Sequence, residues 1–165
     1  MGLDLSINIR AKKKDIDAYC EIEVAYWRKA WSLRDELLKL FTSNEEDIIS
    51  SNEDLEIEVP ISYLEKVIKF LSDLIPDRNN ICFTNSMWTD GQTRLITIQN
   101  LENLCKWDSV INLFEQGKAI DIILVDLFGS KNSITFDCGT GVENLDDLLL
   151  NFNDYEWTLI LYNSY

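Results

Sequence analysis

Hydrophobic and polar residues alternate at the start of the chain, and the apolar members of the alternation are Leu3, Leu5, Ile7 and Ile9. Successive side chains of a β-strand point to opposite faces, so a period of two places all four on one face. This pattern predicts a first β-strand with one buried side.

The pattern changes to helical spacing over residues 21–41, where apolar residues form a broad arc and charged residues gather opposite. It predicts the longest helix of the chain. Trp27 and Trp31 are four residues apart and would therefore be neighbours on one helix face. That face continues through Leu38 and Phe41, so both tryptophans are predicted to lie in the core.

The remaining elements follow from the same two periodicities. Ser62 and Glu65 have the spacing of a capping box at a helix start, and Gly117 stands where a C-cap glycine belongs. The predicted elements are strand 55–59, helix 62–75, a hairpin of 81–87 and 93–99, helix 101–114, strands 119–128 and 133–138, helix 142–152 and strand 157–162. Together they predict a single α+β domain over residues 1–165, with a mostly antiparallel sheet covered by about four helices.

Charge is the unusual feature of the composition. The 165 residues contain 15 Lys and Arg against 29 Asp and Glu, which gives a net charge of −14, and no histidine. An acidic balance of this size argues against direct binding to nucleic acid, whose affinity comes from clustered basic residues. The absence of histidine excludes a Ser-His-Asp triad, a Cys-His dyad and an HExxH zinc site.

The four cysteines, at 20, 82, 105 and 138, form no closely spaced pair. Zinc ribbons and thioredoxin-like redox sites need such pairs, so no metal site or cofactor is expected from them. Cys82 and Cys105 lie in apolar patterns and are interpreted as buried free thiols, although two disulfides remain an alternative. With no signal peptide or transmembrane segment visible, the sequence predicts a cytoplasmic protein without membrane association.

An acidic segment lies between Lys39 and Lys66, where no basic residue occurs. On the predicted strand, Glu56 and Glu58 are two residues apart and share a face, so they could hold Mg²⁺ or Ca²⁺. The spacing fits no EF-hand loop, and a solvated acidic face that contacts a partner is the preferred interpretation. The carboxylates predicted to bind this partner are Glu45, Glu46, Asp47, Glu53, Asp54, Glu56 and Glu58.

Two further features are candidates for recognition. Trp88 would stand beside the tip of the predicted hairpin, where an exposed aromatic residue can anchor an interface. Gly139 and Gly141 precede a predicted helix, as in a phosphate-binding loop. Asn144 occupies the position of the third glycine of that motif, so a tight strand-to-helix turn is the preferred interpretation.

Three short sequences carry a resemblance: Met1-Gly2-Leu3-Asp4, Glu23-Val24-Ala25-Tyr26-Trp27-Arg28-Lys29-Ala30 and the tail Tyr162-Asn163-Ser164-Tyr165. They resemble a group of small uncharacterised bacterial and phage proteins that begin M-G-L-D and carry E-V-x-Y-W-R-K-A-N in their first helix. The chain departs from that group at Trp31, where Asn is usual, and at Leu33-Arg34, where Ile-His is usual. The resemblance implies a phage or mobile-element context and no particular activity.

Three hypotheses about function follow. The first is an acidic interaction protein of a phage or mobile element that inhibits a basic nucleic-acid-binding host defence effector, as anti-CRISPR proteins do. Its negative charge would capture a basic protein groove rapidly. The second is an immunity protein that neutralises a basic nuclease toxin, and the third is a carboxylate-metal enzyme. A non-enzymatic protein with a basic protein partner is the preferred prediction.

Overall fold

A computed structural model describes residues 3–14, 19–43, 54–83, 90–115, 136–138 and 152–164. Within these ranges the protein has an α+β fold, as predicted. The strands are β1 (Asp4–Lys13), β2 (Tyr19–Arg28), β3 (Leu55–Pro60), β4 (Phe136–Cys138) and β5 (Tyr155–Ser164), and the helices are α1 (Trp31–Phe41), α2 (Tyr63–Leu74) and α3 (Asp90–Glu115). Short 3-10 turns occur at Ile81–Phe83 and Phe152–Asp154.

The five strands form one antiparallel sheet in the order β3-β5-β1-β2-β4. The first strand therefore lies at the centre, paired with β2 through a short connection and with the last strand, β5, along its whole length. Leu5, for example, lies opposite Trp27 on one side and Asn163 on the other. Because the two ends of the described chain meet in the middle of the sheet, most pairing is long-range in sequence.

One face of this sheet is the hydrophobic core. On β1 the apolar residues predicted to share a face are all buried, whereas the residues between them are partly exposed. Their core neighbours include Leu37 of α1, Val67 of α2 and Leu104 of α3. The alternation predicted for the first strand is confirmed. The polar residues of β1 lie on the opposite face of the sheet, called the polar face below.

A β-bulge in β2 adjusts this alternation. Ile7 pairs with Ala25 but the next residue, Asn8, pairs with Glu23, so Val24 is the extra residue. Val24 and Ala25 are both buried although they are adjacent. The bulge returns Tyr26 to the polar face, where the unbulged strand would have turned it into the core.

The predicted helix over 21–41 is wrong in its first half. Residues 19–28 form strand β2, and α1 begins only at Trp31. Residues 20–24 alternate apolar and acidic, and that period of two prevails because the strand pairs with β1. Lys29, with φ of 55°, turns the chain between the two elements. The E-V-x-Y-W-R-K-A motif therefore lies on a strand and a turn rather than in a helix.

The two tryptophans consequently do not share a helix face. Trp27 is fully buried, which confirms its place in the core, and its indole Nε1 donates to Thr97 Oγ1 at 3.0 Å. Trp31 begins α1 and is only partly buried. The core face of α1 is made instead by Leu33, Leu37, Leu38 and Phe41, together with the buried Arg34.

The predicted hairpin over 81–99 is also wrong, since residues 90–99 belong to α3. Thr93, Leu95 and Thr97 alternate in a way typical of a strand. In the structure Thr93 and Thr97 are buried one helical turn apart, and Thr97 Oγ1 donates to the Thr93 carbonyl at 2.8 Å. Burial of this face against β2 outweighs the weak β preference of threonine.

Helix α3 also closes part of the sheet edge at β2. Among the described residues, the short β4 pairs with residues 20–22 of β2. Farther along, the Asn100 amide bonds to both backbone groups of Tyr26, and Asn103 Nδ2 donates to the Val24 carbonyl at 2.9 Å. Side-chain amides thus satisfy backbone groups that another strand would otherwise pair.

The other predictions divide into two groups. Strand 55–59, helix 62–75 and strand 157–162 are confirmed to within two residues at each end. Ser62 precedes α2 as predicted but makes no side-chain capping bond, so the capping box is wrong. Strand 119–128, the cap at Gly117, the turn at Gly139 and most of strand 133–138 and helix 142–152 lie outside the described residues.

The cysteines differ in state. Cys82 is buried and free as predicted, whereas Cys105 is free but exposed because it lies on the outer side of α3. Cys20 is disulfide-bonded, and the register of β2 and β4 places it opposite Cys138. Among the described residues no helix is long and apolar enough to cross a membrane.

Candidate functional site: the polar sheet face

The sequence-predicted site is only partly described. Glu45, Glu46, Asp47, Glu53 and Trp88 lie outside the described residues. Asp54 immediately precedes β3 and is exposed. Glu56 and Glu58 lie on β3 and point to the same side, as the strand prediction required, and this side is the polar sheet face.

The sheet register brings charged residues from four strands together on that face. Arg10 of β1 lies opposite Glu21 of β2 and Thr158 of β5. The neighbouring positions on β5 face β3, where Glu58 pairs with Ile160 and Glu56 pairs with Tyr162. The long side chain of Arg10 can therefore reach a carboxylate on β2, on one side of β1, and carboxylates on β3, beyond β5 on the other side.

Arg10 is the centre of this arrangement. Its Nε donates to Glu21 Oε1 at 2.8 Å and its Nη1 to Glu58 Oε2 at 2.9 Å. Its Nη2 donates to Glu56 Oε1 and to the Tyr162 hydroxyl, the latter at 2.9 Å. The guanidinium thus bridges three carboxylates and links the central strand β1 to the outermost strand β3.

Glu21 is the most enclosed of these carboxylates. Besides Arg10, it accepts a hydrogen bond from the Tyr162 hydroxyl at 2.6 Å and one from Asn8 Nδ2 at 3.1 Å. Donation to Glu21 fixes the orientation of the Asn8 amide, whose buried Oδ1 has no hydrogen-bond partner among the described residues. Three donors from two strands therefore hold the Glu21 carboxylate in place.

The network shifts the pKa values of its members. Burial alone would lower the pKa of the Arg10 guanidinium, but its hydrogen bonds to Glu21, Glu56 and Tyr162 outweigh burial and raise it above its usual range. Burial and donation to Glu21 raise the pKa of the Tyr162 hydroxyl, which keeps it protonated. Arg10 and Tyr162 therefore hold fixed protonation states at any physiological pH.

An aromatic ring and a buried aliphatic side chain lie beside the network. The Tyr19 ring lies over the Arg10 guanidinium, 4.3 Å from ring centroid to Cζ. Ile160, between Asn8 and Glu58 in the register, is fully buried although it lies on the polar face. The Arg10 side chain starts beside Thr158 and reaches Tyr162, the two residues that flank Ile160 on the polar face of β5.

The polar face as a whole is acidic. Glu56 and Glu58 remain 49% and 45% exposed despite their bonds to Arg10. Among the described residues of β1, β2, β3 and β5, this face carries six acidic side chains and three basic ones, a formal excess of three negative charges. The acidic residues on this face of β1, β2, β3 and β5 are Asp4, Glu21, Glu23, Glu56, Glu58 and Glu156, and the basic ones are Arg10, Lys12 and Arg28.

Exposed aromatic side chains lie on the same face. Tyr19 and Tyr26 of β2 are 45% and 39% exposed, and the Tyr26 hydroxyl donates to Asp4 Oδ1 at 2.8 Å. Burial and this bond to Asp4 raise the pKa of the Tyr26 hydroxyl. Both rings are held by polar contacts while they remain accessible to a partner.

A second acidic group lies between α2 and α3. Glu65, Asp108 and Glu115 line a small pocket with Ile61, Leu64 and Ile111 on its walls. Burial, together with Glu65 and Glu115, raises the pKa of the Asp108 carboxyl. No group of acidic or cysteine side chains among the described residues is arranged to hold a metal ion.

The acidic run in the sequence indicated Glu56 and Glu58 but gave no sign of Arg10, Glu21 and Tyr162. Arg10 occupies an even position of the first strand, so the alternation already assigned it to the polar face. Glu21 could not be assigned because residues 21–41 were predicted as a helix. Tyr162 is 152 residues from Arg10, and only the pairing of β1 with β5 brings them together.

Comparison with known proteins adds no identity. No protein-family model, curated protein or solved structure matches the chain.

Proposed function

We propose that the protein is an acidic interaction module that binds a basic protein, and that it inhibits a nucleic-acid-binding host defence effector of a phage-infected cell. The observation that supports this most directly is the polar face of the sheet, where acidic side chains outnumber basic ones two to one. The opposite face is the core, and on the acidic face Glu56, Glu58, Tyr19 and Tyr26 are exposed to a partner.

The net charge of −14 supports the same partner class. Charge of one sign raises the association rate with an oppositely charged protein and suppresses association with nucleic acid. The acidic segment that begins at Glu45 runs into β3 along the chain, so in sequence it adjoins Glu56 and Glu58. A groove that binds phosphate groups is rich in Lys and Arg and is complementary to such a surface.

Charge supplies rate and selectivity, and the aromatic residues supply contact area. Tyr is among the residues that most often dominate the binding energy of interfaces. Tyr19 and Tyr26 lie at two positions of β2 among the carboxylates of the polar face. This combination of exposed rings and fixed carboxylates suits a specific protein interface.

Phage plating tests this function directly. The protein is expressed in bacterial strains that each carry one defence system with a basic nucleic-acid-binding effector, and the plating efficiency of a sensitive phage is measured. In one strain the protein should restore plating. A polar-face variant with Glu23, Glu56, Glu58 and Glu156 changed to Gln should fail there at equal expression.

A matched control removes the same charge from the helices, by changing Glu36, Glu102 and Glu115 to Gln and Asp73 to Asn. This control should still restore plating, because the polar face is intact. Equal activity of both variants would contradict the role of the sheet face. Protection from a co-expressed nuclease toxin, without any effect on defence, would replace the inhibitor hypothesis with the immunity hypothesis.

A further inference from the structure

Among the described strands, β3 lies at one edge of the sheet. Among the described residues it pairs only with β5, through the positions from Leu55 opposite Asn163 to Pro60 opposite Thr158. An edge strand presents backbone N–H and C=O groups along its outer side, and an extended segment of another chain can pair with them. This edge is six residues long, which is enough for one added strand.

The side chains of this edge define what such a strand would need. Glu56 and Glu58 are two residues apart, which separates them by about 6.5 Å along the strand. Each uses one carboxylate oxygen to bind Arg10, and Glu58 Oε2 also accepts from Thr158 at 3.1 Å. The second oxygen of each has no hydrogen-bond partner among the described residues, and both side chains are nearly half exposed.

We propose that β3 binds an extended segment of the basic partner as an additional strand, with Lys or Arg side chains of that segment alternating along it and pairing with Glu56 and Glu58. This inference rests on the proposed function and specifies how the partner is bound. Alternate residues of the added strand would project to the polar face, directly beside the two carboxylates.

Arg10 does not satisfy these carboxylates by itself. Its single positive charge is shared among Glu21, Glu56 and Glu58, so the group of four side chains keeps a formal charge of −2. The guanidinium instead holds Glu56 and Glu58 in fixed positions beside the edge. A cation from the partner would enter a site whose carboxylates are already oriented, which lowers the entropy cost of pairing.

The same charges distinguish a basic partner from a second copy of this chain. Two copies of β3 paired edge to edge would bring their glutamates close to each other, and like charges on paired strands are destabilising. A strand with alternating basic residues replaces that repulsion with attraction. The edge therefore selects a cationic strand of another protein.

Two synthetic peptides of equal composition test the proposal with the full chain. In Lys-Val-Lys-Val-Lys-Val every lysine falls on one face of a strand, whereas in Lys-Lys-Val-Val-Lys-Val the lysines are divided between the faces. Binding is followed by amide chemical shifts of the ¹⁵N-labelled protein. The first peptide should bind about tenfold more tightly, a difference of about 1.4 kcal/mol, with the largest shifts in residues 55–60.

Charge variants locate the contact. Glu56→Gln with Glu58→Gln should weaken binding of the alternating peptide about tenfold, whereas Glu102→Gln with Glu115→Gln on α3 should leave it within about twofold. Equal affinity for the two peptides, shifts centred outside β3, or equal effects of the two variant pairs would each overturn strand addition. The phage plating assay tests the proposed function and does not depend on how the partner is bound. Plating can therefore be restored even if strand addition to β3 fails.

Discussion

The side-chain amide of Asn100 on α3 satisfies both backbone polar groups of Tyr26 on β2. Asn100 Nδ2 donates to the Tyr26 carbonyl at 2.8 Å, and Asn100 Oδ1 accepts from the Tyr26 N–H at 3.3 Å. The helix thereby does for one residue what a neighbouring strand would do. The contact joins α3 to the sheet beyond residues 20–22 of β2, which pair with Phe136–Cys138 of β4.

Replacing Asn100 by Leu should therefore destabilise the protein. It removes both hydrogen bonds, and at about 0.5–1.5 kcal/mol for each bond the loss should be about 1–3 kcal/mol by chemical denaturation. Hydrogen exchange of the Tyr26 amide should accelerate as well. Asn112→Leu is the control, since Asn112 is exposed on the same helix and bonds only to Asp108 among the described residues. Equal losses in the two variants would show that the edge contact contributes nothing.

The two tryptophans of the first half of the chain should differ in their contribution to stability. Trp27 is fully buried and its indole is hydrogen-bonded, so Trp27→Ala should cost about 3–5 kcal/mol. Trp31 is partly exposed at the start of α1, and Trp31→Ala should cost clearly less. Urea denaturation of both variants measures the difference. A larger loss at Trp31 would contradict the strand assignment of residues 19–28.

Lys29 has a left-handed backbone conformation with φ of 55°, and its N–H donates to the Leu3 carbonyl at 2.6 Å. A residue with a Cβ pays about 1–2 kcal/mol for this conformation, whereas glycine does not. Lys29→Gly should consequently be more stable than Lys29→Ala by about 1 kcal/mol in thermal or urea unfolding. The order should reverse at Lys39, a helical residue in the last turn of α1, where Gly is unfavourable. A more stable alanine variant at position 29 would contradict the turn.

Because the pKa of the Tyr162 hydroxyl is raised in the folded protein, we expect a loss of stability at alkaline pH. The unfolded chain loses this proton first as pH rises above about 10. Stability should then fall with increasing pH, because the unfolded state binds fewer protons than the folded state. Tyr162→Phe should show a shallower decline above about pH 10 than the parent. Tyr19→Phe is the comparison, and the same slope in all three proteins would contradict the network.

Asp108 should be destabilising in its charged form. Its pKa is raised by burial and by Glu65 and Glu115, so charging it at neutral pH opposes folding. Asp108→Asn should therefore stabilise the protein at pH 7 by less than about 1 kcal/mol. The difference should disappear progressively as pH falls below about 4, where the parent carboxyl becomes protonated in both states. A destabilised variant at pH 7 would mean that the Asn112 bond outweighs the repulsion.

Local periodicity predicted an element correctly where the apolar residues of that element fit one period only. The first strand, strand 55–59 and helix 62–75 are confirmed because each has one clear apolar face that the core requires, and the last strand is confirmed by its apolar run at residues 159–161. The polar side of the first strand, with Arg10, was implicit in the same alternation. The placement of Glu56 and Glu58 on the same face also followed from the two-residue period of a strand.

Periodicity failed where two periods fit the same residues. Residues 20–27 satisfy an apolar helical arc and a strand alternation, and the strand forms because β1 offers a partner along its whole length. Residues 93–99 alternate as a strand, but β2 offers a surface on which Thr93 and Thr97 are buried as one helical face. In both cases a long-range contact decided the element.

By itself, the sequence determined the α+β class, the acidic character of the protein and the strand face that carries Glu56 and Glu58. The convergence of these carboxylates on Arg10, together with Glu21 and Tyr162, depends on how the strands are arranged in the sheet. The reason is physical: hydrophobic periodicity reports which side of an element is buried, whereas the neighbours of a polar side chain depend on strand order and register. Those are set by long-range pairing of β1, β2, β3 and β5, and no local pattern in the chain encodes them.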